Sequence, residues 1–260
     1  MTIDLFISCI MDQFYPETAK NVIKILHTAG VDVEYNTEQT CCGKFAFNSG
    51  FVDEAKMLGE KFLNDFPNDR PIVGVSASCV GYIKTRFKEL FYNTASHLEY
   101  KRLLPNLYEL TDFLVNKINF LDFGAEFHHK VVYQDTCSSL RELHLKDEGR
   151  KLLSKVIGIE ILEMKHPEFC CGFGSGLFAI QHEAVSVAMA EKKIKDWRLN
   201  GYSMLVSLEP CDMCSLVIAE SRLDQVYYVV SKKGDSNYNS FDINKSKLDG
   251  FGDYEFKFNK

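Results

Sequence analysis

The sequence contains no long hydrophobic run and no excess of basic residues. None of its apolar stretches approaches the roughly 18 residues of a membrane span, and its first five residues, MTIDL, include an acid where a secretory signal would be basic. The 30 lysines and arginines are outnumbered by 36 aspartates and glutamates, which gives a net charge of −6. This balance argues against a surface built to bind nucleic acid or anionic lipid. We therefore expect a cytoplasmic protein with no membrane span and no nucleic-acid partner.

Disulfide bonds are not expected either, although the 260-residue chain has nine cysteines. The count is odd, and two pairs, Cys41–Cys42 and Cys170–Cys171, are sequence neighbours, which are poor disulfide partners. Metal ligation, cluster ligation or thiol chemistry explains such a number better. The alternative, that buried cysteines serve as small hydrophobic residues, fits one or two of them but not an ordered set.

Eight of the nine cysteines occur in the same order in the two halves of the chain. In each half, a cysteine closes an apolar run, a Cys-Cys-Gly turn follows 32 or 33 positions later, and another cysteine closes a second run. Corresponding cysteines are 128, 129 and 132 residues apart, which predicts an internal repeat. The ninth cysteine, Cys214, forms Cys-x-x-Cys with Cys211. The first set is Cys9, Cys41, Cys42 and Cys79, and the second set is Cys137, Cys170, Cys171 and Cys211.

Strand-like and helix-like segments alternate in both halves, which is typical of parallel α/β units. We expect two tandem Rossmann-like parallel α/β units related by the repeat, with domains over 1–125 and 126–260. The predicted strands cover 31–35, 72–75, 131–134, 159–163 and 204–208, and the predicted helices cover 16–30, 53–65, 81–90, 107–115, 147–156, 183–197 and 213–221.

The single cysteines lie where such folds bind ligands. Cys9, Cys79, Cys137 and Cys211 all follow predicted or apolar strand segments, and ligands of parallel α/β sheets bind beyond the carboxyl ends of the strands. The Cys-Cys-Gly turns can bring further sulfurs to the same edge. Thiolates are soft ligands that favour iron–sulfur clusters, zinc or copper(I). Which cysteine of each adjacent pair is a ligand stays open, because neighbouring side chains often point apart.

Longer motifs surround the cysteines from the N-terminus to about residue 194, and together they resemble the cysteine-rich CCG-domain family in its lactate-utilisation branch. Ser76 stands where the fuller family motif has another cysteine, so a first site with four thiolates stays in question. The motifs are FISC (6–9), DQFYPE (12–17), QTCCG (39–43), NSG (48–50), SASC (76–79), YEL (108–110), DTC (135–137), LREL (140–143), CCGFG (170–174) and SVAM (186–189).

This resemblance implies an iron–sulfur electron-transfer subunit that works with two partner proteins in the oxidation of L-lactate to pyruvate. Relatives in the family hold a non-cubane 4Fe-4S cluster on the duplicated motif. Carried over, the cofactor-binding candidates are both sets of four cysteines. The number of clusters stays open, and so does the last ligand, because the family's Cys-x-x-Cys favours Cys214 whereas the repeat spacing favours Cys211.

From about residue 195 the sequence instead resembles the C-terminal part of the zinc-dependent tRNA adenosine deaminases, on the motif LEPCDMC (208–214). That resemblance implies an alternative, a zinc site at Cys211 and Cys214 with Glu183 as proton carrier. Gln181 occupies the position of the zinc histidine, which predicts an impaired deaminase. A nucleic-acid substrate is expected only under this alternative. In a third interpretation, the fused segment spoils the second site and leaves an inactive apoprotein.

Overall fold

The computed structural model describes residues 1–67, 70–174 and 177–195, together with the backbone of three strands at 203–208, 225–230 and 239–242. The chain divides into two compact units. The first unit contains residues 1–125 and 136–155, and the second contains residues 126–135 and 156–260. Each unit has its own sheet.

The first unit contains a four-stranded, fully parallel sheet in the order β2-β1-β3-β4. Side chains alternate across it: Phe6 belongs to one hydrophobic cluster, whereas Ile3 and Leu5 belong to another. Such alternation buries both faces of the sheet, as parallel sheets require. The strands are β1 (Thr2–Phe6), β2 (Asp32–Glu34), β3 (Ile72–Gly74) and β4 (Leu107–Glu109).

Helices connect the strands of the first unit. The helix predicted over 107–115 is wrong in its first turn, because Leu107–Glu109 pairs with Ile72–Gly74 and completes the sheet. The helices are α1 (Cys9–Phe14), α2 (Pro16–Thr28), α3 (Lys44–Asn48), α4 (Val52–Asp65), α5 (Ala77–Leu90), α6 (His97–Leu103), α7 (Leu110–Asp112) and α8 (Glu148–Leu153), with a 3-10 turn at Leu104–Asn106 and π-helical turns at Phe113–Lys117 and Ser138–Glu142.

The second unit contains a five-stranded sheet in the order β6-β5-β7-β8-β9, parallel except for its last pair. The helix predicted over 213–221 lies outside the described residues. The strands are β5 (Lys130–Tyr133), β6 (Glu160–Glu163), β7 (Ser203–Leu208), β8 (Gln225–Val230) and β9 (Asn239–Asp242), and the helices are α9 (Leu177–Gln181) and α10 (Glu183–Lys195).

The two sheets share one strand order. The sequence β2-β1-β3-β4 in the first unit corresponds to β6-β5-β7-β8 in the second, and both sets of four strands are parallel. The predicted α/β class with parallel sheets is thereby confirmed, and the matching order supports the internal repeat. Within the described part of the chain, no helix is long and apolar enough to cross a membrane.

Candidate cysteine site

Two cysteines of the first set follow neighbouring strands and begin helices. Cys9 is the first residue of α1, which follows β1, and Cys79 lies in the first turn of α5, which follows β3. Serines cap both helices: the hydroxyl of Ser8 accepts from the Met11 N–H, and that of Ser76 accepts from the Cys79 N–H, each at 3.4 Å. Because β1 and β3 are adjacent, the two cysteines lie at the same edge of the sheet.

The first Cys-Cys-Gly turn depends on its glycine. Gly43 has a φ of 88°, in the left-handed region that side chains rarely adopt, and its N–H donates to the Cys41 sulfur at 3.4 Å. A Cβ at this position would lie 3.0 Å from the carbonyl oxygen of Ala55 in α4. The turn therefore packs its backbone directly on that helix while it directs a backbone N–H to a sulfur.

The second Cys-Cys-Gly turn repeats this geometry within the second unit. Gly172 has a φ of 83°, and its N–H donates to the Cys170 sulfur at 3.4 Å. A Cβ on Gly172 would lie 2.5 Å from the carbonyl oxygen of Ser186 in α10. The same donor, acceptor and packing in both turns support the proposed repeat.

The four cysteines of the first set form one hydrogen-bonded group. Hydrogen bonds with Cys42 and Cys9 hold the pKa of Cys41 well below its usual range. The same hydrogen bonds with Cys41 raise the pKa values of Cys9 and Cys42, and burial raises both further. Cys42 is also hydrogen-bonded with Cys79, whose pKa is lowered. All four are free thiols rather than disulfides. Their hydrogen bonds therefore bring four free sulfurs into one group.

Ser76 supports this group although it stands where the fuller motif has a cysteine. Its hydroxyl caps α5. The pKa of Cys79 is lowered by its hydrogen bond with Cys42 and further by its hydrogen bond with the Ser76 hydroxyl. Four thiols therefore come together without a fifth cysteine. Within the described residues, no three His, Cys, Asp or Glu side chains are arranged to hold a single metal ion.

A lysine lies beside the sulfurs. The Lys44 amine donates to the carbonyl oxygen and the hydroxyl of Ser78 at 3.1 and 3.0 Å, and it lies 3.7 Å from a carboxylate oxygen of Glu142. Its positive charge also contributes to the lowered pKa of Cys79. The positive charge of Lys44, partly offset by the Glu142 carboxylate, thus lies near thiols that become negative when they ionise. No sequence motif indicates this role, because Lys44 and Ser78 are 34 positions apart.

Gln39 joins the Cys-Cys-Gly turn to the end of β1. Its side-chain oxygen accepts from the Ile7 N–H at 2.8 Å, and its side-chain nitrogen donates to the Leu5 carbonyl at 3.2 Å. Gln39 lies two residues before the cysteine pair, and its side-chain amide thereby fixes the backbone on either side of Phe6. Only a residue that both donates and accepts satisfies both bonds.

Replacing Gln39 with alanine should therefore loosen the site. We expect the free energy of unfolding of the apoprotein to fall by about 1–3 kcal/mol, because two buried backbone groups lose their partners. Urea unfolding measures this loss. Gln13→Ala is the matched control, since Gln13 is exposed and bonds only to the side chain of Asp12. An equal loss in both variants would contradict the anchoring role of Gln39.

The second set is described only in part. Cys137 directly precedes the π-helical turn Ser138–Glu142 in the first unit, whereas Cys170 and Cys171 lie in the second unit. Cys211 and Cys214 lie outside the described residues. The stretch before Cys170 is held by Lys193, a lysine of α10 only 2% exposed, whose amine donates to the carbonyls of Phe169 and Pro167.

The residues of the predicted zinc alternative occupy a helix boundary. Gln181 ends α9 and Glu183 begins α10, and both side chains are exposed. Their relation to Cys211 and Cys214 is outside the described residues.

Comparison with known proteins assigns the cysteines to a family. A profile of the Cysteine-rich domain (CCG) matches residues 3–84 and 131–219, which contain all nine cysteines. The chain belongs to the CCG cysteine-rich-domain family. The predicted resemblance to this family is confirmed.

Curated relatives of this CCG-domain protein cover most of its length. It is 35% identical to "Lactate utilization protein A 2" of Bacillus cereus (strain 03BB102) over 210 residues, which are 80% of this chain and 86% of the relative. It is 34% identical to "Lactate utilization protein A 1" of Bacillus mycoides (strain KBAB4) over 237 residues, which are 90% of this chain and 94% of the relative. A solved structure, "XylFII molecule", matches at 10% identity over 87% of this chain and 86% of its own, with a TM-score of 0.25, which is too low to carry an argument.

The predicted deaminase resemblance finds no support in these comparisons. The second CCG match runs through residue 219 and so includes both Cys211 and Cys214. The Cys-x-x-Cys motif therefore lies within the CCG domain, and the junction placed near residue 195 is unnecessary. The motif alone does not distinguish the two families, because a Cys-x-x-Cys pair of thiolates serves zinc sites and cluster sites alike.

Proposed function

We propose that this CCG-domain protein is an iron–sulfur electron-transfer subunit of a cytoplasmic system that oxidises L-lactate to pyruvate. The observation that carries the proposal is the group of four hydrogen-bonded cysteines at the edge of the first sheet. The names of the relatives, which cover 80–90% of the chain, support the role in lactate utilisation.

The residues present fit such a group. Iron–sulfur clusters are held by cysteine thiolates, and hydrogen bonds link the four candidate sulfurs in the order Cys9, Cys41, Cys42 and Cys79. By sequence correspondence alone, Cys137, Cys170, Cys171 and Cys211 or Cys214 are the candidate ligands of the second motif. When bound, an iron–sulfur group supplies one-electron transfer.

The residues of the chain hold and shield the sulfurs. Ser8 and Ser76 fix the helix starts that carry Cys9 and Cys79, and Gln39 fixes the turn that carries Cys41 and Cys42. Cys42 is only 2% exposed and belongs to the aromatic core cluster, so this side of the site excludes water. Lys44 places a positive charge near Cys79 and offsets part of the negative charge of the thiolates.

The chemistry of lactate oxidation implies partner subunits. Conversion of L-lactate to pyruvate removes two electrons and two protons, whereas an iron–sulfur group exchanges electrons singly. We therefore propose that a partner with a two-electron acceptor takes the hydride from lactate while a base of that partner takes the hydroxyl proton. The reduced acceptor then releases its own proton and passes the two electrons on, one at a time, to this chain.

Lactate-dependent reduction of the purified chain tests this function. Under anaerobic conditions, its visible absorption should bleach on addition of lactate only when its partner subunits are present. D-lactate is the control and should cause no bleaching. A chain that stays oxidised with L-lactate and the complete set of partners would contradict the proposal, as would one reduced by lactate without any partner.

A further inference from the structure

Tyr82 carries a buried hydroxyl with no hydrogen-bond partner. The residue is 1% exposed, and its oxygen has no partner within the described structure. An unsatisfied buried hydroxyl destabilises the folded chain, so such groups in native proteins call for an explanation. Phenylalanine would fill the same space without this cost.

Tyr82 shares a helix with Cys79 and a buried core cluster with Cys42. Tyr82 follows Cys79 by three residues on α5, and side chains three residues apart share one face of a helix. Cys42 belongs to the same buried cluster as Tyr82. Burial raises the pKa of Tyr82, and negative charge on Cys42 and Cys41 raises it further.

The ring is held in place by its neighbours. Phe47 and Phe87 lie on it with centroid separations of 5.6 Å each, the second in an edge-to-face arrangement. Packing of this kind fixes the direction of the hydroxyl, because a buried aromatic ring in a dense core cannot change its rotamer freely. The ring that carries the donor is thus held in place within the cluster that contains Cys42.

We propose that the Tyr82 hydroxyl donates a hydrogen bond to the iron–sulfur group held by the first cysteine set and raises its reduction potential. The inference rests on the proposed function, because it assumes that such a group binds here. A hydrogen bond to a sulfur stabilises the more negative, reduced form over the oxidised form. Tyr82 is a positioning and tuning residue in this account, since it supplies no ligand.

Tyr82→Phe tests the proposal in the loaded protein. At a fixed potential near the midpoint, the ratio of reduced to oxidised group should fall about tenfold, which corresponds to a midpoint lower by about 59 mV for one electron. Anaerobic redox titration followed by electron paramagnetic resonance measures this ratio. In ²H₂O, the Fe–S vibrations of the unaltered protein should shift in resonance Raman spectra, and the shift should be smaller in the variant.

The apoprotein gives a second readout. Without the group, Tyr82→Phe should unfold at an equal or higher urea concentration than the unaltered chain, because it removes an unsatisfied hydroxyl. Tyr100→Phe is the matched control: Tyr100 is 2% exposed in the same core, but its hydroxyl donates to the Lys84 carbonyl at 2.9 Å. That variant should lose stability and keep the potential.

The outcomes separate the two proposals. If the unaltered chain takes up no iron and sulfide, the proposed function fails and the role of Tyr82 fails with it. If the group loads but Tyr82→Phe and Tyr100→Phe have the same potential, only the role of Tyr82 is overturned. A lower unfolding midpoint of the Tyr82→Phe apoprotein would also overturn it, since the hydroxyl would then have a partner within the protein.

Discussion

Serine in place of Cys42 should remove at least half of the iron bound by the purified protein. Cys42 is hydrogen-bonded with both Cys41 and Cys79 and is 2% exposed, so it stands at the centre of the sulfur group. A serine hydroxyl is a hard ligand with a high pKa and does not replace a soft thiolate. If each cysteine set holds its own group, half of the iron remains, whereas complete loss indicates a single shared group.

Ser78→Ala is the control for this experiment. Ser78 lies next to Cys79, and its replacement removes the hydrogen bond from Lys44 to the Ser78 hydroxyl but keeps the one to the Ser78 carbonyl. The variant should therefore retain the iron of the unaltered chain. Circular dichroism of the Cys42→Ser apoprotein checks that the fold is kept. Full iron content in folded Cys42→Ser protein would contradict the assignment of the first set as a ligand group.

Alanine in place of Gly43 should lower the free energy of unfolding of the apoprotein by about 2–4 kcal/mol. The left-handed backbone alone costs about 1–2 kcal/mol for a residue with a side chain. The added Cβ would also lie 3.0 Å from the carbonyl oxygen of Ala55, a backbone atom of α4 that cannot move independently of the helix. Urea unfolding of the apoprotein gives the value without any contribution from a bound group.

Gly50→Ala separates the two causes. Gly50 has nearly the same φ, 86°, but a Cβ there meets nothing within 4 Å. The Gly50→Ala variant should lose only the part of the free energy of unfolding that comes from the left-handed backbone, and it should keep its iron. The Gly43→Ala variant should lose more stability and also lose iron. Equal losses in the two variants would show that the packing of the turn on α4 is unimportant.

The sequence predicted the elements whose patterns are local. The helix at Pro16–Thr28 has its proline at the start and a regular apolar stripe, and the strands that lead to Cys79 and Cys137 are short apolar runs. The cysteine order then placed the candidate site at the strand ends, because parallel α/β topology brings those ends together.

Features set by tertiary contacts could not be predicted in this way. Leu107–Glu109 forms a strand only because β3 offers an unpaired edge, which overrides a helix-like pattern. The roles of Gln39, Lys44 and Tyr82 depend on neighbours that the chain brings close in space. Gln39 belongs to the QTCCG motif, but the motif does not indicate its hydrogen bonds to the end of β1. The Cys-x-x-Cys at 211–214 allowed two interpretations for the opposite reason, because a short local motif is shared by unrelated families.

The content of iron and acid-labile sulfide in the anaerobically purified chain tests the central claim most directly. The account predicts both elements in comparable amounts, with a thiolate-to-iron absorption in the visible range that disappears on chelation under reducing conditions. Stoichiometric zinc without iron or sulfide would contradict it.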